Sequence, residues 1–215
     1  MNNKWITLLI TGIMMIAACL TGCGKKAEPV SRSSFLLNTF VTVTLYDSED
    51  QEILDGAMKL CSEYEQKLST TIETSEIYVM NHRQPGERTF TVSEETAEVI
   101  EKGLEYSRLS DGVFDITIEP LSSLWNFTGA DPHVPSEDAI REELYKVGYE
   151  NVSVSGNQIT FANDVTTIDL GAIAKGYIAD RMKEYLKSQG VESAIINLGG
   201  NVLCVGERPG GKPFK

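Results

Sequence analysis

Histidine is scarce: two in 215 residues, His82 and His133, both in polar stretches. No HExxH, no paired-histidine site, no Cys-x-x-Cys and no cysteine–histidine cluster occurs, so zinc has no ligand set here. Gly-x-Ser-x-Gly is also missing, which removes the nucleophile-elbow hydrolases. Basic charge is in deficit. Lys and Arg number 19 against 31 Asp and Glu, a net charge of −12, and this argues against a nucleic-acid backbone as partner. Past residue 34 nothing reads as disordered or repetitive.

What is present begins with an export pattern. Lys4 precedes a nearly unbroken apolar run from Ile6 to Leu20, short for a membrane span. It ends Leu20-Thr21-Gly22-Cys23, which resembles the lipobox of bacterial lipoproteins, whose cysteine thiol is acylated. The expected organisation is a signal peptide over 1–22, a lipidated Cys23 with a polar tether to residue 34, and a domain over 35–215. The expected location is the outer face of the cell membrane, through a lipid anchor. Cys61 and Cys204 then remain. Cys61 falls on the inner side of a helical pattern and Cys204 in a strand pattern, so two buried thiols are expected, with a disulfide between them as the alternative outside the cytoplasm.

A content of 41% hydrophobic residues suffices for one good-sized domain. Phe35 to Tyr46 alternates, with Val41, Val43 and Leu45 on one face, and predicts a strand. Asp47 and Ser48 are candidate caps for a helix whose inner line is Leu54, Ala57, Cys61, Tyr64 and Leu68. Thr89–Val92 predicts a short strand. Ser93 caps a second helix with Glu94 and Glu95 in its first turn. Val113 to Leu121 reads as an apolar strand, and Trp125 as core. Ser136 caps a third helix carrying Ile140, Leu144 and Val147. Ser155-Gly156-Asn157 separates the strands of a hairpin. Val165 to Leu170 predicts a strand feeding a helix that ends at Gln189-Gly190. Two more strands flank Gly199-Gly200. The fold class is mixed α/β or α+β, with strand order open. Arg208 to Lys215 has loop composition, and a domain ending there is expected to be incomplete.

The segment "DLGAIAKGYIAD", Asp169 to Asp180, carries chemistry. A strand entering a helix through glycines leaves backbone N–H groups unpaired, and these suit phosphate oxygens. Gly171 and Gly176 permit close approach, Lys175 adds positive charge, and Asp169 is an acceptor for a ribose or base donor. A carbonyl in the same turn is a hard oxygen ligand of the kind Mg²⁺ takes. Read alone, the same glycines simply turn the chain. Asp115, between Phe114 and Ile116, either meets ligand N–H donors or caps nearby backbone N–H groups. Asn197-Leu-Gly-Gly-Asn201 is either a second donor loop or a hairpin turn.

Taken in order, Leu37-Asn-Thr-Phe-Val, Leu68-Ser-Thr with Ser75-Glu-Ile and Asn81, Gly112-Val-Phe-Asp-Ile-Thr with Pro120-Leu and Trp125, Asp169-Leu-Gly-Ala-Ile-Ala-Lys-Gly-Tyr, and Asn197-Leu-Gly-Gly-Asn resemble the ApbE-type flavin transferases, the FAD:protein FMN transferases. They span residues 35 to 206. The resemblance implies an ApbE-like fold and a Mg²⁺-dependent reaction. In it FMN passes from FAD to a Ser or Thr hydroxyl of a target protein, with release of AMP. It implies FAD contacts at Leu37, Thr71, Val113, Phe114, Asp115, Asp169 and Lys175, and a Mg²⁺ contact through the Ala172 carbonyl. It names no catalytic residue. The implied partners are FAD, a flavin-acceptor protein and, through the anchor, the membrane. The chain departs from the family where Met-Gly-Thr is usual, with Leu37-Asn38-Thr39, and at Thr71, where an aromatic is usual. The family's later Ala-Asp-x-x-Ser/Thr-Thr segment, which supplies metal-binding oxygens, has no counterpart in these residues. Alone they are expected to lack activity, and a non-catalytic FAD-binding lipoprotein is the alternative.

Overall fold

Alternation in Thr39–Leu45 sends Val41, Val43 and Leu45 to one side, where each is completely buried. The computed structural model describes residues 28–127 and 129–215; the signal peptide and Cys23 lie outside the described residues. The stretch expected as one strand is a hairpin. β1 (Val30–Leu36) pairs antiparallel with β2 (Thr39–Leu45) around the two-residue turn Leu37-Asn38. Residues 30–34, read as tether, are therefore sheet. Strand β6 (Ala194–Leu198) pairs with β2, and β7 (Asn201–Val205) with β6, all antiparallel, in the order β1-β2-β6-β7. Gly199 and Gly200, with φ of 64° and 97°, form the β6–β7 turn, so Asn197-Leu-Gly-Gly-Asn201 is a hairpin.

Helices α1 (Gln51–Leu68) and α6 (Ala174–Ser188) cover the inner face of this sheet. The apolar line of α1 is buried as its spacing predicts. Its cap is Asp50, whose carboxylate accepts the Glu52 N–H at 2.8 Å, whereas Asp47 accepts the Glu192 N–H. Burial pushes the Cys61 thiol up to about 12, so it stays protonated. Cys204 is exposed on β7 and is not the buried thiol expected, because its register position faces outward from the sheet.

A short helix α2 (Glu76–Asn81) and β3 (Thr89–Thr91) lead to α3 (Glu94–Leu109), capped by Ser93. β3 joins β4 (Val152–Ser155) and β5 (Gln158–Phe161) in a small antiparallel sheet, order β3-β5-β4. The β4–β5 hairpin falls where Gly156-Asn157 predicts it. Between α3 and β4 lie α4 (Glu119–Ser122) and α5 (Glu137–Leu144). Helix α5 buries none of its residues, and Leu144 is more than half exposed. Trp125 is only half-buried and stacks on Phe127, so it is not core.

Two expected strands are not strands. Residues 113–118 form turns, started by the positive φ of Asp111 and Gly112 and ended by Pro120 in α4. Residues 166–170 run extended but join neither sheet. Among the described residues no helix is long and apolar enough to cross a membrane.

Candidate functional site

The site is built on that unpaired extended segment. Thr166, Ile168 and Leu170 alternate inward and are buried. In place of a strand partner, the Asn81 carboxamide accepts the Ile168 N–H and donates to the Ile168 carbonyl, both at 2.8 Å. The Arg83 guanidinium lies 4.0 Å from the centre of the Phe161 ring and donates to the carbonyls of Met80, Asn163 and Thr166. The Asp169 N–H donates to the Ile116 carbonyl at 2.8 Å. Every contact holds residues 166–169 so that the chain arrives at α6 in one defined place.

At that point Asp169 turns the chain. Its Oδ1 accepts the Gly171 N–H at 2.7 Å and its Oδ2 accepts the Ser122 hydroxyl at 3.2 Å. A Cβ on Gly171 would stand 3.0 Å from Asp169 Oδ1, which is why a glycine fits. The Gly171 amide, expected to face a phosphate, is therefore already taken. Ile173 and Ala174 donate to the Leu170 carbonyl. Helix α6 has no side-chain cap, and among the described residues the N–H groups of Ala172, Lys175 and Gly176 meet no acceptor. Nor does any described carboxylate lie within ion-pair reach of Lys175. Free N–H groups, the positive end of a 15-residue helix and a half-buried ammonium group make an anion-binding corner.

A pocket of about 160 Å³ opens at this corner, lined by Leu37, Glu65, Thr71, Asp169 and Lys175 among others. Four of the seven residues nominated for FAD thus meet in one place. Across the 171–173 turn lies a shallower cleft of about 370 Å³, with Phe114, Ala172 and Ile173 facing Tyr106 and Leu109. It takes in Phe114 and Ala172. Val113 is 91% exposed and lines neither. Asp115 is committed within the chain: Oδ1 accepts the Thr117 N–H and hydroxyl, each at 2.7 Å, and Oδ2 accepts the Tyr149 N–H at 3.0 Å.

No described backbone donor reaches the Ala172 carbonyl, which leaves it open to a cation. Among the described residues no group of three His, Cys, Asp or Glu is assembled to hold a metal. One carbonyl fits as a ligand of Mg²⁺ but does not amount to a site, since Mg²⁺ takes near-octahedral oxygen sets that include carboxylates.

Glu65 was missed by the sequence reading. Its signal was an acid four residues after Cys61 and three before Leu68, beside the inner line of α1.

The profile described as the ApbE family matches residues 37–215. The chain belongs to the ApbE family. It is similar to the FAD:protein FMN transferase of Klebsiella pneumoniae, 35% identical over 188 residues, covering 86% of this chain and 59% of that protein. A relative with the same name from Vibrio cholerae is 29% identical over 219 residues, covering 99% and 64%. Among solved structures, the flavin transferase ApbE from Vibrio cholerae superposes with a TM-score of 0.80 at 27% identity, over 87% of this chain and 62% of that one. The apo Pseudomonas stutzeri flavinyl transferase ApbE gives 0.78 at 25% identity, over 89% and 66%. The mixed α/β architecture is thus that of the ApbE flavin transferases. The chain spans about three fifths of the length of the curated relatives it matches. The ApbE match begins at Leu37, the first residue of the hairpin turn that walls the pocket.

Proposed function

We propose that this ApbE-family chain binds FAD and belongs to an FAD:protein FMN transferase. The observation that carries the reading is the convergence of Leu37, Thr71, Asp169 and Lys175 on one pocket at the open N-terminus of α6. A pocket of about 160 Å³ takes part of a dinucleotide, and the neighbouring cleft across the turn offers room for more.

The chemistry follows from the donors. Lys175 and the amides of 175 and 176 hold the diphosphate by charge and hydrogen bonds. Asp169, already oriented by Ser122 and Gly171, keeps lone pairs for a ribose hydroxyl. In the transfer, a Ser or Thr hydroxyl of the acceptor protein releases its proton to solvent as its oxygen bonds to the FMN phosphorus. The bond from that phosphorus to the bridging oxygen breaks, and AMP leaves with the negative charge. Lys175 disperses that charge. Mg²⁺, when bound, supplies further neutralisation of the diphosphate, and the Ala172 carbonyl is its candidate ligand in this chain.

Titration calorimetry with FAD, ADP and riboflavin tests the reading. FAD and ADP are expected to bind and to compete, and riboflavin to bind weakly. The reading fails if neither FAD nor ADP binds. Incubation with FAD, Mg²⁺ and a threonine-containing acceptor peptide then reads transfer directly, as a mass gain of one FMN.

We also propose that Cys23 carries a lipid and holds the domain at the outer face of the membrane, on the support of the Leu20-Thr21-Gly22-Cys23 pattern. Cys23→Ser is expected to move the protein from the membrane to the soluble fraction. Unchanged membrane fractionation on ultracentrifugation would remove the proposal.

A further inference from the structure

We infer that Glu65 is a positioning residue of the pocket: from helix α1 it holds the Leu37–Asn38 turn in its left-handed conformation against the ligand space. The inference rests on the nucleotide-binding reading above and adds a residue to it.

Both turn residues have a φ of 55°. A two-residue hairpin of the I′ kind requires positive φ at both positions and favours Asn-Gly, whereas this turn has no glycine. Asn38 tolerates the geometry, but a bulky aliphatic residue such as Leu37 does so under strain of about 1–2 kcal/mol. The other non-glycine residues with positive φ among those described are Asp111 and Asn126, types that adopt it readily. Such strain persists where surrounding contacts over-determine it. Here the contact is visible. The Leu37 N–H donates to Glu65 Oε1 at 2.7 Å, a charge-assisted bond between residues 28 apart in sequence. On its other side the hairpin meets the β6–β7 turn: the Gly199 N–H donates to the Phe40 carbonyl at 3.2 Å, and a Cβ on Gly199 would lie 2.2 Å from Thr39 Oγ1.

Glu65 is half-buried on α1 beside the buried Cys61 and Leu68, where a carboxylate gains from being paired. Its partner is the strained amide, and Leu37, Asn38 and Glu65 all line the pocket that holds Asp169 and Lys175. Without Glu65 the turn loses the one side-chain hydrogen bond it receives among the described residues, and Leu37 leaves its place in the pocket wall.

The test uses the full chain with Glu65→Ala, Glu65→Gln, and Glu65→Ala combined with Asn38→Gly. Two readouts are taken: hydrogen exchange at the Leu37 amide without ligand, and FAD affinity by calorimetry. Glu65→Ala is expected to speed exchange and weaken FAD binding, each by about tenfold. Glu65→Gln keeps an acceptor oxygen and stays within about threefold on both. Asn38→Gly, by favouring positive φ, restores much of the affinity lost in Glu65→Ala. Unchanged Leu37 exchange in Glu65→Ala overturns the inference. So does equal loss of affinity in Glu65→Ala and Glu65→Gln with no recovery from Asn38→Gly, which would make Glu65 a direct ligand contact. If the unaltered protein binds no FAD, the functional reading falls by itself, and the exchange comparison still decides whether Glu65 holds the turn.

Discussion

Lys175→Ala is expected to weaken FAD and ADP binding by about 10- to 100-fold, with folding intact. Truncating one partner of a charge-assisted contact removes about 2–5 kcal/mol when the contact is buried. Lys175 is half-buried, so solvent screening places the loss around or just below the lower end of that range. Each 1.4 kcal/mol is tenfold. No ion pair to a described residue is lost with the side chain, and its neighbours in α6 stay hydrogen-bonded, so stability has little reason to change. Lys175→Arg retains the charge and is expected to recover most of the affinity. The effect is tied to phosphate, which gives the experiment a control: riboflavin, which has none, should bind both proteins alike. Raising the salt concentration should narrow the gap between Lys175 and Lys175→Ala for FAD. Equal FAD affinities by calorimetry at low salt would remove Lys175 from the site, and with it the reading of the α6 N-terminus as a diphosphate corner.

Much of the frame was legible because it follows from local rules. The buried line of α1, the Ser93 cap, the β4–β5 turn and Gly190 at the end of α6 each depend on residues within a few positions of one another. The misreading of residues 166–170 has a non-local cause. Residues 166–170 have the alternation of a strand, but their pairing groups are the side chains of Asn81 and Arg83, more than 80 positions away. Periodicity reports which face is buried, not what binds the backbone. Leu37 was nominated through resemblance, while its positive φ and its bond to Glu65 needed the fold, since nothing local predicts left-handed backbone at leucine. The phosphate corner was half legible. Glycines marked the turn, yet Asp169 closes off the Gly171 amide and shifts the free donors on to Ala172, Lys175 and Gly176.

Asp115→Ala is expected to destabilise the protein by about 3 kcal/mol, an effect read first in the folded chain and only afterwards in the ligand. The apolar run 113–121 suggested a strand with an acid inside it, and the structure shows why it is not one. The carboxylate accepts the Thr117 N–H and hydroxyl on one oxygen and the Tyr149 N–H on the other. The Thr117 hydroxyl oxygen in turn accepts the Gly148 N–H at 2.8 Å, and Thr117 is fully buried. Three donors are thus satisfied on one anion and a fourth on the hydroxyl it orients, which ties the loop after α3 to the approach to β4. Hydrogen bonds to charged groups contribute about 1.5–3 kcal/mol each, and partial exposure and relaxation of the loop reduce the sum. Asp115→Asn keeps an oxygen for Thr117 but turns an NH₂ group toward the Tyr149 N–H, donor against donor, so it should lose about half as much. Both variants can be followed by urea denaturation with the midpoint and slope fitted, alongside FAD titration. The loop carries Phe114 into the cleft beside Ala172, so FAD affinity should fall modestly in step with stability. A variant with the denaturation midpoint of the unaltered protein and a large loss of FAD affinity would show instead that the carboxylate serves the ligand, and that its three intrachain donors find other partners when it is gone.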